Sequence, residues 1–468
     1  MTLQRLYSLK SGKTLNKERN MEKLLVSHFQ EAVSRMLSGF DHLPAFTPEY
    51  DADRISHILF EVAEKMKENY PFHHPLYAGQ MLKPPHPVAL LSYALAMFIN
   101  PNNHAIDAGI ASSKMEKEAV SAIAAMFGWA GGLGHLTGGG TIANLEALWV
   151  SGKIHPDKLI VASEQAHFTH KRICEVLKTG FESVPADMNG AMDIGYLENI
   201  LKTSHVGTVV VTLGTTGCGK IDPLPEIIEL QKAYKFRIHV DAAYGGYFKL
   251  VSNLSEKNSL AFDNIGKADS IVVDPHKHGL QPYGCGCILF KDSGVGKYYK
   301  HESPYTYFTS NELHLGEISL ECSRAGASSV ALWATQQYLP LIKGGEFAKN
   351  LEKSRKAAMT IFSWIESRDE FITFFEPDLD IIVFSLKGSS SKEISDLNRK
   401  MFDICAKSDL HLALLTLPRA IAGKHHDLEW NSDGLTCLRS CLMKPEHEDW
   451  AERIITLLQK SVSATVNP

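Results

Sequence analysis

Ser270-Ile271-Val272-Val273-Asp274-Pro275-His276-Lys277-His278-Gly279 is the stretch that decides how this chain is read. Residues 271–273 are apolar and β-branched with no polar alternation, which marks a strand buried on both faces of a parallel sheet. Lys277 then stands just past the carboxyl end of that strand, where open α/β sheets place their ligands. A lysine there can lose its proton through desolvation and neighbouring positive charge, and a neutral amine can form a Schiff base. The competing reading is a plain surface-loop lysine, since lysines are mostly exposed.

Outward from this stretch, the same pattern repeats. Residues 159–162, 208–213, 238–240 and 287–290 are further strand candidates, and helical segments at 167–178 and 225–235 fall between them. Such alternation predicts an α/β domain around a mostly parallel sheet, spanning residues 86–340. Before it, residues 1–85 read as a helical N-terminal segment, with helices over 21–37 and 51–67. A Pro- and His-rich passage at 70–80 follows them, irregular by its turn chemistry. After it, residues 341–468 read as a small C-terminal α+β domain. Its helices are expected at 345–367, 392–406 and 446–460, and its strands at 371–375, 381–386, 410–415 and 436–442.

Composition excludes several functions. The 468 residues are 44% hydrophobic, enough for a sizeable core. Lys and Arg number 48 against 53 Asp and Glu, a net charge of −5, with none of the basic excess that nucleic-acid or membrane-surface partners require. No apolar run approaches bilayer length, and the basic first 23 residues lack the apolar core of a secretory signal. The eight cysteines are scattered, without the repeated CxxC spacing of a zinc site or disulfide framework, so a reduced, cytoplasmic protein is expected. His276-Lys277-His278 and His425-His426-Asp427 match no zinc-ligand spacing, so no metal is expected.

Four strand ends carry chemistry. Leu136-Thr137-Gly138-Gly139-Gly140-Thr141 runs into a helix, and free amides at a helix start make an anion site. Arg237-Ile238-His239-Val240-Asp241-Ala242-Ala243 ends a strand in an acid that is costly to bury without a cationic partner, and Ala243 leaves space for a flat ring. A protonated pyridine nitrogen is one such partner. His167, beyond the strand at 159–162, can stack on a planar ligand or cap the next helix. Thr216, beyond the strand at 208–213, can donate a hydrogen bond. Each signal alone is an ordinary turn or cap. Together they are the set a pyridoxal phosphate site needs: phosphate anchor, ring face, pyridinium partner and Schiff-base amine.

In these segments and in their order, roughly residues 60–460 of the chain resemble the group II pyridoxal-phosphate-dependent amino-acid decarboxylases. The resemblance implies the fold-type I, aminotransferase-like architecture and a homodimer with active sites at the subunit interface. It implies that Lys277 holds the cofactor, Asp241 pairs with its ring nitrogen, and His167 and Ala243 flank the ring. Gly140, Thr141 and His276 would bind the phosphate, with Thr216 near the ring substituents. Arg439, in Thr436-Cys437-Leu438-Arg439-Ser440, matches the arginine that meets the substrate's α-carboxylate. A loop tyrosine returns a proton to Cα in this family. Tyr307 is preferred for that role over Tyr305 within Ser303-Pro304-Tyr305-Thr306-Tyr307. This chain departs from the family in having Asp274 where many members have Asn, and in the length and sequence of the loop.

The passage His74-Pro75-Leu76-Tyr77-Ala78-Gly79-Gln80-Met81 resembles one in glutamate-type members where a Gln meets the substrate side chain. Gln80 suits a polar or acidic L-amino acid, with an aromatic one next. The remaining alternatives are a pyridoxal-phosphate lyase or aminotransferase and a catalytically silent, cofactor-binding regulatory homologue.

Overall fold

The computed structural model describes residues 12–300, 314–426 and 428–466. Its centre is a seven-stranded sheet built from β1 (Leu133–Thr137), β2 (Leu159–Ser163), β3 (Phe181–Val184), β4 (Val206–Thr212), β5 (Arg237–Asp241), β6 (Ser270–Val273) and β7 (Gly286–Phe290). The strand order is β1-β7-β6-β5-β4-β2-β3. β3, β2, β4, β5 and β6 pair in parallel, and β7 is antiparallel to both β6 and β1. The mostly parallel α/β sheet expected from the alternating pattern is therefore present. β4 and β6 are buried along their whole length, which is why they read as unbroken apolar runs.

The helices up to the small sheet are, in chain order, α1 (Gly12–Leu37), α2 (Ala52–Met66), α3 (Pro87–Met97), α4 (Ile110–Met126), α5 (Gly140–Ile154), α6 (Thr169–Leu177), α7 (Ile194–Thr203), α8 (Leu224–Tyr234), α9 (Glu256–Asp263) and α10 (Gly326–Tyr338), and those after α2 include the ones that keep the strands dry. α1 and α2 precede the sheet and pack little, and every residue of α2 is exposed. Asp51 caps α2, its side chain accepting from the Arg54 amide. Among the described residues no helix is long and apolar enough to cross a membrane.

A second, antiparallel sheet follows, of order β10-β11-β9-β8, from β8 (Phe371–Thr373), β9 (Ile381–Leu386), β10 (Ala413–Pro418) and β11 (Gly434–Cys441). It packs with α11 (Glu346–Glu366), α12 (Ser391–Lys407) and α14 (His447–Val466), while the one-turn α13 (Arg419–Ala422) follows β10. The passage at 70–80 is stitched into this body: Ala78 donates its amide to His411 and accepts from Cys441.

Three expectations differ from the structure. β1 and β3 had no candidate. β1 is interrupted by Gly134 and His135, and the Gly134 position is so tight that a Cβ would lie 2.9 Å from the Ile288 carbonyl. The strand expected at 410–415 begins at Ala413, because Leu410 still closes α12 by donating to Cys405 and His411 pairs with the 70–80 passage.

Candidate active site

Because β2, β4, β5 and β6 are parallel, their carboxyl ends lie along one edge of the sheet, and β1, antiparallel to β7, ends at the same edge. The residues just past those ends line a single cleft of about 320 Å³. It gathers Gly140, Thr141, His167, Thr216, Asp241, Ala243, His276 and Lys277, eight of the residues singled out from sequence. Gln80 and Arg439 meet one shell further out, and Tyr307 and Tyr305 lie outside the described residues.

The glycine cup forms because α5 starts at Gly140. Ile142 and Ala143 donate back to Gly139, so the helical ladder begins after the Gly140 and Thr141 amides, which remain available to an anion. Gly139 sits at φ +147°, in backbone space that favours glycine. A Cβ on Gly140 would stand 2.6 Å from Asp274 Oδ2, so this turn admits no side chain. Glu321 accepts from the Gly138 amide at 2.8 Å, placing a carboxylate at the rim of the cup.

Asp241 is buried at the end of β5, and its side-chain partner in the fold is His170, whose Nε2 lies 2.8 Å from Oδ2. Asn144 donates to the same oxygen at 3.3 Å, and the Ala243 amide donates to Oδ1 at 3.1 Å. Burial alone would raise this carboxyl. The hydrogen bond and charge of His170, with Lys277 and the Ala243 amide, instead hold it well below the usual carboxylate range. The network continues: Asn144 Oδ1 accepts from His239 Nε2 at 2.8 Å, and His239 Nδ1 pairs with Ser270 Oγ at 2.8 Å. Burial pushes His239 down to about 3, so it stays neutral and orients Asn144.

Lys277 Nζ lies 3.2 Å from Asp274 Oδ2. Its nearest charge is thus an acid, not the neighbouring positive charge expected from the sequence. Asp274 also lies 3.6 Å from His276 Nε2, while His276 Nδ1 pairs with the Cys285 carbonyl at 2.9 Å. His167 stands two residues before α6 and is not its N-cap; its Nδ1 accepts from the Thr169 amide and meets Thr169 Oγ1 at 2.7 Å, and the residue lines the cleft. Burial, reinforced by Lys277 and His170, lowers its pKa, so it presents a neutral ring.

Arg439 is buried on β11 and reaches toward the cleft from the small domain. It donates to the carbonyls of Gly217 (2.8 Å) and Thr216 (2.7 Å) and to Gln80 Oε1 (3.2 Å). All three acceptors are neutral.

The sequence reading missed His170, Asn144, His239 and Glu321. His170 follows His167 by three residues and Asn144 follows Gly140 by four, spacings that put each pair on one helix face.

The donor set fits pyridoxal phosphate: a buried ionised acid, an amine, a neutral aromatic face and an anion cup share one cleft. Comparison with known proteins agrees. The sequence model described as the pyridoxal-dependent decarboxylase conserved domain matches residues 43–387. An L-tyrosine decarboxylase of Enterococcus faecium is 27% identical, covering 76% of this chain and 77% of the relative. An L-aspartate decarboxylase of Thermococcus kodakarensis is 28% identical, covering 74% and 86%. Among solved structures, mouse CSAD superposes with a TM-score of 0.75 at 20% identity, over 93% of this chain and 91% of that one. Oryza sativa TDC, solved with PLP and tryptamine, superposes with a TM-score of 0.77 at 16% identity, over 98% and 100%. These last two likenesses establish the shared fold.

Proposed function

The chain belongs to the pyridoxal-dependent decarboxylase family and is an amino-acid decarboxylase that uses pyridoxal phosphate, and we propose that the strand-end cleft is its active site and that it acts on a polar or acidic L-amino acid. The observation that carries the site is the buried Asp241 carboxylate, held ionised by His170 within the cleft that Lys277 enters.

When bound, the cofactor supplies a sink for the electron pair left on Cα as carbon dioxide departs. Asp241 would keep the proton on the ring nitrogen, because an adjacent negative charge favours the cationic form. Lys277 would be the amine that carries the cofactor, and His167 and Ala243 would flank its ring. The amides of Gly140 and Thr141, with His276, would hold the phosphate, and Thr216 would be near the ring substituents. Arg439 receives the α-carboxylate, because it is a buried cation whose partners are all neutral. Return of the proton to Cα is assigned to Tyr307.

Gln80, hydrogen-bonded to Arg439, supports a polar or acidic side chain. A second reading is an aromatic substrate such as tyrosine. It is supported by the cluster beside Gln80, where Phe72 and Tyr77 pack edge to face at 4.8 Å and His411 lies 6.1 Å from Tyr77. The relatives named for L-tyrosine and for L-aspartate are compatible with either.

A homodimer is supported by α2, where Ile55, Leu59, Val62 and Met66 form one apolar stripe, all exposed. Such a stripe calls for a partner, and a second copy of this chain is the occupant we assign. A cytoplasmic setting is supported by the eight free cysteines, seven of them buried.

The test is carbon dioxide release from a full panel of L-amino acids, led by aspartate, glutamate and tyrosine. Purified protein loaded with pyridoxal phosphate is expected to absorb visible light and to lose that band in Lys277→Ala. Protein that stays colourless with added cofactor, or a panel that yields a keto acid and no carbon dioxide, refutes the reading.

A further inference from the structure

The site described above leaves one buried cluster unused. Tyr244 follows Asp241 by three residues, His278 follows Lys277 directly, and Asp380 stands one residue before β9 of the small domain. All three are essentially without solvent contact. Tyr244 Oη donates to Asp380 Oδ1 at 2.6 Å. Asp380 Oδ2 lies 3.3 Å from His278 Nε2 without a hydrogen bond between them, and the His278 ring packs edge to face against Tyr244 at 4.7 Å.

Asp380 is also tied to the strand that carries Arg439. Its carbonyl accepts from Leu442 at 2.8 Å, and in the next pairs of the ladder Ile382 opposes Ser440 and Val383 opposes Arg439. One carboxylate therefore touches the turn after β5, the Lys277 turn and the strand pair that bears Arg439. Burial pushes Asp380 up to about 6, with Tyr244, Lys83 and Arg439 drawing it back. Leaving an acid in so dry a place costs stability unless its contacts serve a purpose.

We propose that Asp380 is a positioning residue: through Tyr244 and His278 it sets the distance between Arg439 on the small domain and the Lys277 and Asp241 strand ends of the large one. The inference rests on the decarboxylase site argued above, with Arg439 as the α-carboxylate contact. Reaction geometry of this kind is sensitive to shifts of about an ångström.

The test uses the full-length, cofactor-loaded enzyme and its preferred amino acid. Asp380→Ala is expected to raise KM by about tenfold, the worth of one charge-assisted hydrogen bond. The visible band and the affinity for pyridoxal phosphate are expected to stay within about threefold, because they depend on the large-sheet residues, while kcat falls along with substrate binding as the reacting geometry loosens. Asp380→Asn, which keeps an acceptor for Tyr244, is expected to restore most of the loss. Should Asp380→Ala fail to fold, Tyr244→Phe removes the hydroxyl alone and is expected to raise KM in the same direction. Where both fold, the double variant Asp380→Ala/Tyr244→Phe is expected to be no worse than the worse single one. An unchanged KM in the variants that fold overturns the proposal. So does a fall in cofactor affinity in step with the KM change, which marks a merely structural role. If the unaltered enzyme takes up no cofactor or releases no carbon dioxide, the function reading has failed instead.

Discussion

Replacing His170 with Leu tests the charge logic of the cleft most directly. The substitution keeps an apolar body of similar size in the start of α6 and removes the 2.8 Å partner of Asp241. Asp241 would keep only the Asn144 amide at 3.3 Å and the Ala243 amide at 3.1 Å. Removing a hydrogen bond to a charged group costs about 1.5–3 kcal/mol, and burial of the carboxylate puts the expectation at the upper end, about 3 kcal/mol. In a domain of about 250 residues that corresponds to a Tm roughly 6–12 °C lower at pH 8. The pH dependence carries the sign. In the unaltered protein the Asp241 carboxyl is held below its ordinary value, so its contribution is present above pH ~4 and is lost as the pH falls further. In His170→Leu burial acts with little opposition and raises the carboxyl, so the charged form becomes the costly one. The Tm gap between the two proteins should therefore widen from pH ~4 to neutrality and then level off. Scanning calorimetry of cofactor-free protein across pH 4–8 measures it, and a pyridoxal phosphate titration should show affinity at least about tenfold weaker. A variant that unfolds within about 2 °C of the parent at every pH would show that Asp241 does not depend on His170, and the reasoning would fall.

Glu321→Ala frees the Gly138 amide and removes a carboxylate from the rim of the cup; pyridoxal phosphate should bind about three- to tenfold more tightly by absorbance titration, and unchanged or weaker binding would show that Glu321 does not oppose the phosphate. Ile55→Asp combined with Leu59→Asp places two charges on the apolar stripe of α2; light scattering at micromolar concentration should report a monomer where the parent is expected to be a dimer, and an unchanged mass would remove α2 from the interface.

Legibility in the sequence followed how local each signal was. β4 and β6 were readable because burial on both faces leaves an unbroken β-branched run. Lys277 and Asp241 drew notice because one stands four residues past β6 and the other ends β5. β1 was not, because its identity comes from pairing with β7, to which Gly134 contributes closeness rather than hydrophobicity. The partners of Asp241 were hidden for the same reason. His170 looks like any surface helix residue until α6 packs beside β5, and Asn144 lies 97 residues from the carboxylate it touches. The sign of the charge beside Lys277 was misjudged, although Asp274 is only three residues away, because a strand-ending Asp-Pro reads as turn chemistry.

The charges of the cleft are divided unequally between the two domains, and the division bears on how the substrate is read. In the large sheet Asp241 and Lys277 each have a side-chain partner at hand: Asp241 meets His170 and Lys277 meets Asp274. That arrangement keeps the donors and acceptors in place before any ligand arrives, which is what preorganisation requires. Arg439, from the small domain, is different. Its three hydrogen bonds go to two backbone carbonyls and an amide, and among the described residues no carboxylate lies within ion-pair reach. A buried guanidinium satisfied in hydrogen bonds but not in charge favours an anionic ligand over a neutral one of the same shape. With Arg439 in the proposed role, the α-carboxylate answers that need for every amino acid, so it would select amino acids as a class without choosing among them. Discrimination between aspartate and tyrosine must then come from Gln80 and the Phe72–Tyr77–His411 cluster beside it, where Lys444 Nζ lies 5.4 Å from the Tyr77 ring. Exchanging Gln80 for Leu should therefore change the ranking of substrates while leaving the requirement for an α-carboxylate intact.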